Sequence, residues 1–347
     1  MKTVVFGAND KMYDKGTGVF YDVIKNPDYE YYCFFPSLKD SRNLSIAFSK
    51  KVTKFTCRPL KKIIYYNVLK HKYLKTCKRD DEILFLFSMY KMEDEYYFPP
   101  FIAFLKAQYK NAKFAYYSYD IASTWHTVTP NYIKDNFDIV LTFDESDAEK
   151  YGFEFYEGIY SKVDIETSAD DEKSDLMFIG ADKGKFPLLL KAFEKLSDKG
   201  IKCDFRLVEV DKENEEYLTS HFNCTKYDSG EVRADYKDSH FYINQYCPYY
   251  KTLKILNNSK AMLDIPLGTQ NGSTIRLSEA SVYEKKLITN CKDVAKKPFY
   301  KKENICIVDN PWDVDADFIN SPFVPIDFDF SPIAMIDYAK SKLFPKK

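Results

Sequence analysis

The chain has 347 residues and a formal net charge of −1, so it has room for two domains of ordinary size and no global field that would select nucleic acid. Its eight cysteines are scattered without a C-x-x-C pair, and its four histidines do not cluster with them, which argues against structural zinc and a disulfide framework and points to a reducing, cytoplasmic compartment. The N-terminal MKTVVFGAND is too short an apolar run for a signal peptide, and Ile83–Tyr90 is too short to span a bilayer, so any membrane contact is expected to be peripheral.

Thr3–Gly7 reads as a first strand and Val19–Lys25 as the helix after it. The loop between them carries Asn9 and Asp10, at the edge where α/β sheets place ligands. Tyr31–Phe35 is a second strand. From Lys39 to Arg79, thirteen cations face one acid, Asp40, with Leu60, Ile63, Ile64, Val68 and Leu74 between them at near-helical spacing. A basic amphipathic helix of this kind suits an anionic membrane surface or a phosphate-bearing acceptor. Glu82–Ser88 is a buried strand. Pro99-Pro100 breaks the chain, Phe101–Lys110 is a helix, and Phe114–Tyr119 is a strand ending at Asp120. A polar loop with His126 follows, then the strand Ile139–Phe143 and the short helix Ser146–Tyr151.

Acidic residues dominate Glu154–Asp175, which places an interdomain boundary near Glu166–Ser174. A second strand–loop–helix series begins with Leu176–Ile179, the loop Gly180–Lys185 and the helix Phe186–Lys199 stopped by Gly200. Cys203–Val208, Phe241–Asn244 and Ile305–Val308 are further strands, and Lys251–Asn258 is a helix. In the proline-containing tail, Asp313-x-Asp315-x-Asp317 and Asp327-x-Asp329 read as solvated turns rather than a divalent-ion site, and Pro332–Leu343 as a closing helix.

The stretch from Asp264 to Asn290 carries the most chemistry. Ala261–Ile265 is a buried strand bounded by Pro266 and Gly268. Gly272-Ser273-Thr274 opens a helix, with Ser273 or Thr274 as N-cap. A helix N-terminus offers unpaired N–H groups and partial positive charge to a phosphate. Arg276 stands in the first turn, where a guanidinium forks onto a diphosphate, and Glu279 shares its helix face. Loop, cation and carboxylate together describe a site for a nucleoside diphosphate; a surface ion pair at an ordinary helix start is the plainer alternative.

In order, Tyr249-Tyr250-Lys-Thr-Leu, Asn258-Ser259-Lys260, Leu263-Asp264-Ile265, Gln270-Asn271-Gly272, Arg276-x-x-Glu279-Ala280 and Lys286-Leu-Ile-Thr-Asn290 resemble the C-terminal half of a GT-B glycosyltransferase. More narrowly, they are similar to bacterial enzymes of capsular polysaccharide and lipopolysaccharide biosynthesis. Phe137-Asp138-x-Val140-x-Thr142-Phe143-Asp144 with Asp147-Ala148-x-Lys150-Tyr151-Gly152, and Phe178-Ile-Gly180-Ala-Asp-Lys-Gly-Lys185, resemble the same group. The resemblance spans about residues 115–310.

It implies an α/β GT-B fold, two Rossmann-like domains facing each other across a cleft: 1–165 for the acceptor and 175–330 for the nucleotide sugar, with 331–347 as a helix packing back on the first domain. It implies a nucleotide-diphosphate sugar as substrate, no cofactor, no metal, and a glycan or lipid-linked acceptor at the inner face of the cell membrane. Gly180, Lys185, Gln270, Gly272, Ser273, Thr274 and Arg276 would meet the diphosphate, Glu279 the ribose, and Tyr249 or Tyr250 the base. Related sequences usually have Arg at the position of Lys185. Asp120 is the first choice of catalytic base, with Asp10 and His126 as alternatives on the acceptor side beside Asn9. Asn271 stands where retaining enzymes often carry a second glutamate, which leaves inversion favoured and retention open. A nucleotide-sugar epimerase or hydrolase of similar fold, or a non-catalytic nucleotide-sugar-binding scaffold, would show the same motifs.

Overall fold

The computed structural model describes residues 1–7, 18–33, 74, 76–88, 98–118, 120–122, 129–166, 168, 173–181, 184–208, 241–243, 249–266 and 274–345. They form two compact units. One holds the chain up to Ser161 and again from Ser331; the other holds Lys162–Phe330.

In the first unit the strands are β1 (Lys2–Gly7), β2 (Tyr29–Cys33), β3 (Ile83–Ser88), β4 (Lys113–Ser118), β5 (Ile139–Thr142) and β6 (Glu154–Phe155), in the spatial order β2-β1-β3-β4-β5-β6. All pairs are parallel; Val5 lies between Tyr31 and Leu86. A parallel sheet is covered on both faces, so its central strands are mostly apolar. ILFLFS of β3 is buried at every position. One face carries an aromatic core: Phe6 stacks on Phe87 at 4.8 Å between ring centroids and meets the edge of Phe101 at 5.4 Å.

The helices of this unit are α1 (Tyr21–Lys25), α2 (Phe98–Gln108), α3 (Pro130–Asn136), α4 (Glu145–Tyr151) and, from the end of the chain, α9 (Pro332–Leu343). The expected break at Pro99-Pro100 is instead the first turn of α2, because N–H groups there have no helical partner to lose. The Thr129 hydroxyl caps α3 by accepting from the Tyr132 N–H, with Pro130 next, a helix start not among the elements expected from the sequence. Asp144 caps α4, and Gly152, at φ 68°, ends it in the left-handed region. On α9 Tyr338 donates to Glu154, Lys342 pairs with the same carboxylate at 2.9 Å, and Lys340 lies 5.0 Å from the ring centre of Tyr29.

The second unit contains β7 (Ser174–Ala181), α5 (Phe186–Asp198), β8 (Cys203–Val208), β9 (Phe241–Ile243), α6 (Tyr249–Asn257), β10 (Ser259–Asp264), α7 (Ile275–Val282), β11 (Lys286–Thr289), β12 (Ile305–Ile307) and α8 (Ala316–Asn320). Its parallel strands run β12-β11-β10-β7-β8-β9. Chain direction across the sheet therefore reverses between β7 and β10, and such a switch point opens a crevice beyond the carboxyl ends of the two strands. The core is mainly aliphatic, with Leu188, Leu189, Leu190 and Leu196 of α5 buried against Leu176, Leu207 and Leu263.

The tail is tied to this unit by buried polar groups. Lys286, 2% exposed, donates from Nζ to the carbonyls of Glu303 and Pro322, and Asn304 exchanges two hydrogen bonds with Val324. Asp313 completes a capping box with Asn310, and the Asp315 side chain accepts from the Asp317 N–H, so the Asp-x-Asp run caps short helical turns. Among the described residues no helix is long and apolar enough to cross a membrane.

Candidate functional site

The switch-point edge of the second unit gathers the charged residues. β10 ends at Asp264, and α7 begins after Thr274, whose backbone is extended. The Thr274 hydroxyl does not cap the helix: it donates instead to Asp264 Oδ2 at 2.8 Å. The first N–H groups of α7 thus receive no side-chain cap from Thr274, and an anion is the natural complement to such groups.

Arg276, in the first turn of α7, points across the reversal. One amino group pairs with Glu279 Oε2, and the other donates at 2.7 Å to the main-chain carbonyl of Ile179 on β7. These two bonds fix the plane of the guanidinium. Its side chain is 25% exposed, and its remaining N–H donors are uncommitted among the described residues. Glu279 is 1% exposed; its Oε1 accepts from the Tyr249 phenol at 3.4 Å. Burial opposes the charge on Arg276, but Glu279 and then Asp264 more than offset it, and the pKa is raised. Burial and Glu279 together hold the Tyr249 phenol protonated.

Gly180 follows Ile179 near the end of β7, and a Cβ there would sit 3.3 Å from the ring edge of Phe178. Lys185 ends the loop before α5, with Nζ 5.7 Å from the Phe178 ring centre, and its charge favours ionised Asp264. The second unit therefore brings together Gly180, Lys185, Tyr249, Thr274, Arg276 and Glu279. Asp120 is in the first unit, half-buried after β4, where its Oδ1 accepts the Ile121 N–H at 2.9 Å. Asn9, Asp10, His126, Gln270, Gly272 and Ser273 lie outside the described residues, as does the basic stretch 39–79 except for 74 and 76–79.

Two groups on this edge were not singled out as site residues. Asp264 is 8% exposed, and its signal was an acid at the end of an apolar run, just before Pro266. Asn290, past the end of β11, buries its Oδ1 without a hydrogen-bond partner among the described residues; nothing in the sequence separates it from an ordinary strand-end Asn.

No family model and no curated protein sequence matches the chain. Among solved structures, AviGT4, a glycosyltransferase involved in avilamycin A biosynthesis, is 12% identical with a TM-score of 0.53 over 100% of this chain and 99% of that one. With the two parallel-sheet units, this decides the architecture. The fold is GT-B. A UDP-N-acetylglucosamine 2-epimerase-type protein from Listeria monocytogenes (8% identity, TM-score 0.48, 100% of this chain and 97% of that) superposes more loosely. So does an α,α-trehalose-phosphate synthase (UDP-forming) from Burkholderia vietnamiensis (12% identity, TM-score 0.45, 92% of this chain and 85% of that). A GT-B likeness at such identity fixes the architecture and leaves activity to the residues of the site.

Proposed function

We propose that this GT-B protein is a metal-independent glycosyltransferase of the hexosyltransferase type. It moves a sugar from a nucleotide-diphosphate donor to a glycan or lipid-linked acceptor in surface-polysaccharide assembly, as a peripheral protein at the cytoplasmic face of the membrane. The observation that carries the reading is the braced guanidinium of Arg276. It is held by a buried carboxylate and a main-chain carbonyl, beside a helix start to which the Thr274 side chain gives no cap, at the reversal point of a parallel sheet.

In this reading the diphosphate meets the α7 N-terminus through Thr274 and the neighbouring Gln270, Gly272 and Ser273. Gly180 lets the backbone approach, and Lys185 adds charge. Negative charge grows on the diphosphate as the bond to the sugar breaks. A cation already fixed in place stabilises that state without reorganising, so it accelerates transfer rather than only tightening binding. Glu279 holds the ribose and Tyr249 lies toward the base. Asp120 deprotonates the acceptor hydroxyl, with Asn9, Asp10 and His126 on the acceptor side. The cations of 39–79 meet the anionic surface that carries the acceptor.

The test is a thermal-shift screen of UDP, GDP, CMP, dTDP and their sugars, followed by sugar transfer onto membrane extract. One nucleotide class should raise the melting temperature, as ligand at about a hundred times its Kd adds about 2.7 kcal/mol. Arg276→Ala should abolish that increment. An increment unchanged in Arg276→Ala removes the site, and sugar-nucleotide turnover that needs no acceptor removes the transferase.

A further inference from the structure

Asp264 is the buried acid at the centre of the charged edge. Its Oδ2 accepts the Thr274 hydroxyl at 2.8 Å. Charged or titratable groups face it from three segments: Lys185 ahead of α5, Arg276 and Glu279 on α7, and the Cys291 thiol beyond β11. From α6, the Tyr249 phenol turns to Glu279 instead. Lys185 and Arg276 favour the ionised carboxylate, while Glu279 opposes it. Those two cations are also the ones an incoming diphosphate would engage. Field that they give to phosphate is withdrawn from Asp264, and the phosphate brings negative charge of its own.

We propose that Asp264 is a positioning residue of this edge, and that a nucleoside diphosphate binds there together with a proton taken up by the Asp264 carboxyl. The proposal rests on the nucleotide reading of the site given above. The contact with Thr274 survives the change: in the ionised state the Thr274 hydroxyl donates to the carboxylate, and in the neutral state the carboxyl O–H donates to Thr274 Oγ1. The start of α7 is therefore held in both states while the local charge adjusts to the ligand.

The sign follows from the surroundings. Burial lifts the Asp264 pKa above its ordinary value, against Thr274, Lys185 and Arg276, which lower it. A bound anion lifts it further. Proton uptake is confined to the window between the free and bound values. Affinity rises as pH falls through that window, by up to about tenfold per pH unit, and is flat on either side.

The experiment is titration calorimetry of the full chain with UDP, GDP, ADP and dTDP, in two buffers of different ionisation enthalpy across the weakly acidic to neutral range. The nucleotide that binds should take up a fraction of a proton that Asp264→Asn abolishes. Subtracting the variant cancels the proton of the nucleotide's own terminal phosphate, which titrates near pH 6. Thr274→Val removes a bond that is stronger to the ionised carboxylate than to the neutral carboxyl, so it should move the uptake window to higher pH; this decides the matter if Asp264→Asn does not fold. Binding with equal proton uptake in wild type and Asp264→Asn, or a window unmoved by Thr274→Val, overturns the proposal and leaves the nucleotide site standing. No binding by any of the four nucleotides overturns the nucleotide reading and this proposal with it.

Discussion

The two units share one plan, a six-stranded parallel sheet, and place their polar residues to different ends. At the carboxyl edge of the first sheet, two buried acids accept from backbone N–H groups. Asp144 caps α4, and Asp147 accepts the Ala122 N–H at 2.6 Å. At the same edge of the second sheet, side chains hold one another: Arg276 pairs with Glu279, and the Thr274 hydroxyl donates to Asp264. The cores differ as well, aromatic in the first unit and aliphatic in the second. A group consumed by its own backbone is structural. A cation whose partners leave it partly exposed keeps capacity for a ligand.

The comparison breaks most readily in the cores. Phe87 is fully buried and touches the rings of Phe6, Phe98, Phe101 and Phe137. Phe87→Ala should cost about 3–5 kcal/mol, and Leu189→Ala in α5 about 2–5. Hydrogen exchange read peptide by peptide should show loss of protection in the unit that carries each change. If Phe87→Ala loosens β7, β10 and α5 as much as β1 and β3, the units unfold together and the contrast between their cores has no separate consequence.

Next is the charged edge. Arg276→Ala takes the guanidinium from the buried Glu279 carboxylate, which keeps the Tyr249 phenol among its partners. Loss of one partner of a buried pair costs about 3–5 kcal/mol, whereas replacing both by apolar residues is often nearly neutral. Because Arg276 is 25% exposed, the single variant should fall near the lower end, and Arg276→Met with Glu279→Leu should recover most of the loss in urea unfolding. Equal destabilisation of the single and double variants would show that the pair is held by something other than mutual compensation.

What the sequence shows and conceals follows the range of the interactions. The buried strand at Ile83–Ser88, the helix stopped by Gly200 and the i,i+3 pair Arg276–Glu279 are local patterns, and each is legible from composition and spacing. The bond from Arg276 to the Ile179 carbonyl is not, because it depends on β7 lying beside β10, which only the strand order decides. Asp264 was visible as an acid ending an apolar run, but its link to Thr274 spans ten positions and no periodicity encodes it. The start of α2 is concealed for another reason: a Pro-Pro pair breaks a helix interior but is compatible with a first turn, which is where Pro99-Pro100 stands.

The smallest expected effect concerns how each unit holds a helix. α5 packs through leucines, whereas α9 meets Glu154 through Tyr338 and Lys342. The Tyr338 hydrogen bond, then that of Lys342, holds the Glu154 carboxyl below its ordinary pKa. A lowered folded value means that the contribution is present above the ordinary carboxylate range and is lost as pH falls through the Glu154 value. Because the Glu154 side chain is 38% exposed, solvent screens it and the effect is small. Hydrogen-exchange protection factors for 332–343 should be slightly lower in Glu154→Gln than in wild type at neutral pH, and the difference should vanish in acid, while α5 is indifferent to both changes. A difference that persists after Glu154 is protonated would assign the hold on α9 to its apolar face, where Met335, Ile336 and Ala339 are buried, and make the two helices alike.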